Sequence, residues 1–259
     1  MLKELYTAAL GMIPQQNRLE VLANNIANAN TAGFKRESVF ERYMINAQEN
    51  LNSIKGDAEQ EDPPSYTYTD FSSGNVERTG NPLDVAIDAP NGYFILQDEE
   101  GRQFYSRAGH FVLGNDGHIR TADGLALMGE SGPILLDRTF AAVDQPGDNR
   151  AINVRIEDDG EVFANEMPLG RIQLAIVENP QTLVRESGTH FSESEETNVN
   201  MVPHNETRVR QGYSENSNVD IIKEMVEMIE LQRLFETGQK VIQTNDGTLD
   251  RAIDIGRFM

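Results

Sequence analysis

The residues able to do chemistry are few, and each has a plainer reading. The acidic turns "GNDG" (114–117) and "EDDG" (157–160) could seed calcium loops. Neither continues into alternating oxygen ligands with a glutamate twelve positions on, so hairpin turns explain them better. "GESG" (129–132) is one residue short of a nucleophile elbow and reads as a turn. The four histidines, His110, His118, His190 and His204, show no paired metal spacing. Cysteine is absent, which excludes disulfides and thiolate metal sites. No glycine-rich phosphate cradle is present, and Asn205-Glu206-Thr207 is a sequon of a kind common by chance. The reading is no enzyme, no cofactor and no metal. One unusual feature remains. Asn24, Asn25, Asn28 and Asn30 fall within seven positions at the end of an apolar helical pattern, before Gly33 and Phe34. Asparagine amides compete with helical backbone bonds, so this is a place for capping and for directional contacts.

The elements that must position these asparagines follow from period. Leu5, Met12, Leu19 and Ile26 recur every seven residues, with Leu2, Ala9, Gln16 and Ala23 as a companion stripe, interrupted by Gly11 and Pro14. At the other end Ile221, Met228, Phe235, Ile242 and Leu249 keep the same period, with Met225, Gln232, Gln239, Asp246 and Ile253 beside them. Asn218 or Asp220 can cap that second helix. From Leu83 the period becomes two, with short apolar runs divided by Asp-Gly and Asn-Gly turns as far as "GRIQLAIV" (170–177). "GDAEQEDPPS" (56–65) is linker-like.

The expected fold is therefore α+β: N- and C-terminal helices packed as a coiled-coil-like stalk, extended linkers, and a central all-β domain. The boundaries are 1–36 for the first helix, 37–82 for a linker, 83–180 for the β domain, 181–216 for an extended return and 217–259 for the last helix. A chain of 259 residues with 38% hydrophobic residues and a mean hydropathy of −0.50 suits an elongated molecule. Its net charge of −20 argues against nucleic acid and anionic membranes. No window of about 18 apolar residues spans a bilayer, and the N-terminus lacks the apolar run of a secretory signal.

The terminal blocks resemble bacterial flagellar rod and hook proteins. "LYTAALGMIPQQNRLEVLANNIANANTAGFKR" is similar to that family's N-terminal block, with Ala23-Asn24-Asn25-Ile26-Ala27-Asn28 and Gly33-Phe34-Lys35 at its signature positions. "SNVDIIKEMVEMIELQRLFE" is similar to the C-terminal block, opened by Ser217-Asn218-Val219, and "GNPLDVAIDAPNGYFIL" to the start of the central domain. "GESGPILL" and the central length resemble a proximal rod member more than a distal one. The resemblance implies a structural subunit of the flagellar basal-body rod, the drive shaft for motility. Such a subunit is exported by the flagellar type III apparatus without a cleaved signal, and polymerises in the periplasm with copies of itself and neighbouring rod subunits. The expected subunit interface comprises Leu5, Met12, Leu19, Asn24, Asn25, Asn28, Gly33, Phe34, Ser217, Asn218, Val219, Met225, Met228, Ile229, Gln232, Phe235 and Ile242. Gly33 is expected to allow a left-handed exit from the helix. The competing reading is a carbohydrate- or ligand-binding β domain on a helical oligomerisation stalk, presenting Tyr93, Phe94, Phe104 and Tyr105.

Overall fold

The computed structural model describes residues 2–40, 66–89, 91–136, 154–194, 197–202 and 208–257, with backbone alone for 2–11, 40, 66, 245–246 and 249–257. The chain forms two compact units, one of residues 1–27, 36–70 and 219–259, the other of residues 28–35 and 71–218. His204, the sequon and the 56–65 linker lie outside the described residues.

The expected helix-rich architecture with its coiled-coil stalk is corrected by this fold. Among the described residues there are nineteen short strands and only two α-helices, α1 (Leu2–Ala27) and α2 (Ile221–Arg257), so β-strands make up most of the elements. The two heptad stripes do not form regular apolar layers either. Among the described side chains of α1, Pro14 and Leu22 are buried, while Met12, Leu19 and Ile26 are half-buried and Ala23 is exposed. On α2 the companion residues Met225, Gln232 and Gln239 are exposed, and Glu224 and Leu231 are buried in their place. A seven-residue period fixes one row of a helix but not which neighbouring row faces inward. Polar Asn25 and Glu224 then occupy the depth where an apolar layer was expected. The side chains of Leu5, Leu2, Ala9, Leu249 and Ile253 lie outside the described residues.

Within the first unit Met12 lies against Gly238, whose missing Cβ would sit 3.5 Å from the methionine Cγ. The strand Glu37–Phe40 pairs antiparallel with Tyr66–Thr69. Phe235 is half-buried, so Phe235→Ala is expected to cost about 1–2 kcal/mol, less than a fully buried phenylalanine. Chemical denaturation of the full chain checks it, and a loss above about 3 kcal/mol would place Phe235 in a closed core.

The second unit is built on a ten-stranded sheet. Its central strand, Gly92–Gln97, shows why its sequence is an unbroken apolar run. Phe94 and Leu96 point into one core with Val85, Phe111, Ile119 and Leu127. Tyr93 and Ile95 point into a second core with Tyr105, Ala175, Val177 and Phe191. Alternate side chains leave opposite faces of a strand, and here both faces are covered. Phe94 and Phe111 meet edge to face at 5.2 Å. Returning strands close the unit: Val209–Gln211 pairs with Val85–Ile87, and Tyr213–Glu215 with Val76–Arg78. Gly109 permits a close crossing, since a Cβ there would stand 1.7 Å from the Val85 carbonyl oxygen.

Candidate subunit interface

In the first unit α2 starts with Asp220, whose Oδ1 accepts from the backbone N–H groups of Ile222 and Lys223 at 3.1 and 3.3 Å. That cap satisfies free N–H groups of the first turn, which also carries Glu224. Glu224 is 1% exposed. It accepts from Asn25 Nδ2 at 3.0 Å and from Arg36 Nε at 2.5 Å. The same Asn25 amide donates to the Glu37 carbonyl at 2.7 Å and accepts from the Glu37 N–H at 2.9 Å. One buried side chain thus satisfies both backbone groups of the residue that opens the Glu37–Phe40 strand, as a neighbouring strand would. Arg36 also lies 3.9 Å from Glu227, which accepts from Arg18 at 2.7 Å. Charges therefore alternate along this row: Glu224, Arg36, Glu227, Arg18.

In the second unit Gly33 has φ +69°, and a Cβ would stand 2.2 Å from the Ala108 nitrogen, so only glycine fits. Its N–H donates to the Glu215 carbonyl at 2.7 Å. Phe34 is buried with the Arg185 guanidinium 4.9 Å from its ring centroid, and that guanidinium also faces Phe191 at 5.0 Å. Lys35, 1% exposed, donates to the Glu215 carboxylate at 2.7 Å and to the Ser72 carbonyl at 2.8 Å. Glu215 accepts further from Arg107 Nε and from the Gly74 N–H, both at 2.9 Å. Burial alone would raise the Glu215 carboxyl, but Arg107, Lys35 and these hydrogen bonds outweigh it and hold it below the usual glutamate range.

The remaining expected interface residues are scattered. Asn24 is exposed, and Asn28 is half-buried and accepts from the Thr31 hydroxyl at 3.3 Å. Asn218 donates to the Ser72 carbonyl at 3.2 Å, with Ser217 and Val219 half-buried on either side. Met225, Ile229 and Gln232 are exposed on α2, whereas Met228, Phe235 and Ile242 are half-buried. Sequence reasoning gave no role to Glu215, Arg107, Arg36 or Arg185. The only signal was lysine directly after buried-looking phenylalanine, with an acid far along the chain to pair with it.

Other charged groups among the described residues pair with one another. Asp116 is held at about 2, chiefly by its bond to Arg120. Glu157, Asp159 and Glu161 converge within 4.8 Å, but Arg171 lies 3.0 Å from Asp159 and Arg155 3.0 Å from Glu157. The aromatic platform of the competing reading is mostly core, with only Phe104 of its four residues half-buried rather than buried. Tyr93, Phe94 and Tyr105 are about 1% exposed or less, so they cannot stack on a sugar.

A β body with two buried apolar cores and a C-terminal helix that exposes apolar side chains suit a structural protein that assembles. Comparison with known proteins gives the same class. Residues 5–35 match the family described as flagella basal body rod protein. Residues 86–164 match the flagellar hook protein FlgE/F/G D1 domain, and residues 210–255 the flagellar basal body rod FlgEFG protein C-terminal family. The chain is 32% identical to the flagellar basal-body rod protein FlgG of Agrobacterium fabrum, covering 95% of this chain and 96% of the relative. It is 30% identical to FlgG of Bacillus subtilis, covering 99% and 100%. It is 29% identical to the flagellar hook-basal body complex protein FlhO of Bacillus subtilis over the whole of both chains. The chain belongs to the flagellar basal-body rod protein family. It is a structural subunit of the rod, not an enzyme, and it assembles with copies of itself and neighbouring subunits in the hook-basal body. The slight expected preference for the proximal member, FlgF, is not favoured, because the rod relatives found are FlgG proteins.

Proposed function

We propose that this rod subunit polymerises through its terminal segments, with the outward face of α2 as the principal contact. The observation that carries this reading is the row of bare apolar side chains on that face. Ile222 is 75% exposed, and Met225, Val226, Ile229, Leu234 and Val241 are each about half exposed. Exposed apolar side chains gathered on a helix have further cover to find. Met225, Ile229 and Gln232 belong to this contact. Asn24, exposed at the end of α1, supplies amide bonds to a neighbour, while the buried Asn25 shapes the chain behind it. Met12, Leu19, Met228, Phe235 and Ile242, half-buried, fill the edges of the same contact, and Leu5 extends it. Asn28, Gly33, Phe34, Ser217, Asn218 and Val219 hold the chain where it enters and leaves the β body. The finer organisation follows: 1–36 and 217–259 as assembling ends, 37–82 and 181–216 as connections, 83–180 as the central β domain. Delivery is through the flagellar type III export apparatus to a periplasmic position in the rod, where the polymer transmits torque. Family membership supports this part of the reading.

The test is the double substitution Ile222→Asp and Val226→Asp. Both positions face outward, so the purified chain should keep its thermal unfolding within about 1 kcal/mol. Incorporation into basal bodies and swimming should be lost. Normal incorporation of the variant would remove α2 from the interface.

A further inference from the structure

The exposed face of α2 is not one surface but two of different shape. Along one flank Ile222, Val226, Leu231 and Leu234 line a groove of about 510 Å³, with Arg18 and Glu230 among its polar walls. All of these residues lie in the first unit. Along the other flank Met225 and Ile229 stand out at a spacing of four, both about half exposed, so they form one ridge. At about 100° per residue the ridge row is turned from the groove row by roughly a quarter of the helix circumference. Charge follows shape. The groove's other charges are paired within the chain, Arg18 with Glu227 and Lys223 with Asp220, so Glu230 is its open carboxylate among the described residues. Exposed Arg233, four residues on from Ile229, continues the ridge row.

Resting on the reading of α2 as the polymerising face, we propose that the groove is filled by the Met225–Ile229 ridge of a second copy of this chain. Two grooves laid face to face would leave their hollows empty. A ridge fills a hollow, and methionine adapts to an irregular one. The pairing also brings Arg233 of the entering copy to Glu230 of the receiving copy. Groove and ridge are different patches of one chain, so the contact is head-to-tail. Each added copy leaves one groove and one ridge open, and the contact propagates rather than closing as a dimer. An open-ended polymer needs that property, and a self-complementary patch would not give it.

The chain has no cysteine, which makes crosslinking clean. Met225→Cys places a thiol on the ridge and Leu234→Cys one in the groove. Within one helix they stand about 13 Å apart, beyond a short bis-maleimide. The chain carrying both is expected to give a ladder of oligomers. An equal mixture of the two single variants should give dimers and nothing larger, and each single variant alone should give none. Dimers from one single variant alone would show a symmetric contact and overturn the ridge-in-groove arrangement while leaving α2 as an interface. A doubly substituted chain that stays monomeric would overturn it as well. A second arm uses charge. Glu230→Arg and Arg233→Glu should each raise the concentration needed for association by about tenfold. Mixing the two variants should restore it, because each then offers the other a complementary partner. If only the chain carrying both changes recovers, the effect is internal to the helix, and the intermolecular pairing is wrong.

Discussion

The Glu215→Gln variant is expected to lose about 3–5 kcal/mol of stability in the β body. Glu215 is 2% exposed and receives Lys35, Arg107 and the Gly74 N–H. A neutral amide in its place leaves two cations buried, 1% and 4% exposed, without their carboxylate. The loss concerns more than one pair. Lys35 also holds the Ser72 carbonyl, and Arg107 holds the carbonyls of Ala89 and Gly92, so three chain segments converge on one carboxylate. Chemical denaturation measures the effect, and Lys35→Met added to Glu215→Gln should recover part of it by removing one stranded charge. The pH dependence has a definite sign. The folded chain lowers the Glu215 carboxyl below its ordinary value, so the unfolded chain binds that proton more tightly. The contribution is complete above the ordinary glutamate range and is lost as pH falls through the lowered value. Wild type should therefore lose stability on acidification more steeply than Glu215→Gln. Equal acid slopes would remove Glu215 from the account.

How much of this could be read from sequence varies with the range of the interaction. The strand Gly92–Gln97 and the Asp-Gly turns are local patterns, and local patterns are legible. The left-handed Gly33 was readable too, because a helix followed by small residues and glycine has few other ways to turn. The rotation of α2 was not. The row Ile221, Met228, Phe235 lies at the edge of the buried face, but its neighbouring row was placed on the wrong side, at Met225 rather than Glu224. Hydrophobicity alone prefers methionine inside, and what turns Glu224 inward is a partner 199 positions away, Asn25. The Lys35–Glu215 pair, 180 positions apart, was invisible for the same reason. Buried charges are tolerated only in pairs, and a single sequence does not say which distant charges pair. The overall balance of helix and sheet failed similarly. Period places the helical stripes and the central strands, but the short polar strands Val76–Arg78, Val209–Gln211 and Tyr213–Glu215 fall in stretches expected to be extended linkers and have no apolar alternation to announce them.

The Asn25→Ala variant is the sharpest test of why asparagines gather at the end of α1. Asn25 is fully buried. Its amide bonds the N–H and the C=O of Glu37 and also the carboxylate of Glu224. Alanine removes all three bonds and leaves three polar groups in a site too closed for easy repair. Each unsatisfied buried group costs about 1–3 kcal/mol, and some relaxation is expected, so the total should be about 3 kcal/mol. The helical circular dichroism of the full chain during denaturation reads it out. Asn30→Ala, in the same asparagine cluster but exposed, should change stability by less than about 0.5 kcal/mol, which separates the role of the Asn25 amide from mere asparagine content. Asn25→Asp gives an independent check. The aspartate can still accept from the Glu37 N–H, but it cannot donate to the Glu37 carbonyl, and it places a second carboxylate beside Glu224. Like charges resist joint ionisation, so this variant should be weakest near neutral pH and gain stability relative to wild type as acid protonates one of the pair. If Asn25→Asp instead matched Asn25→Ala at every pH, the side chain would be filling space rather than completing the backbone of the Glu37–Phe40 strand.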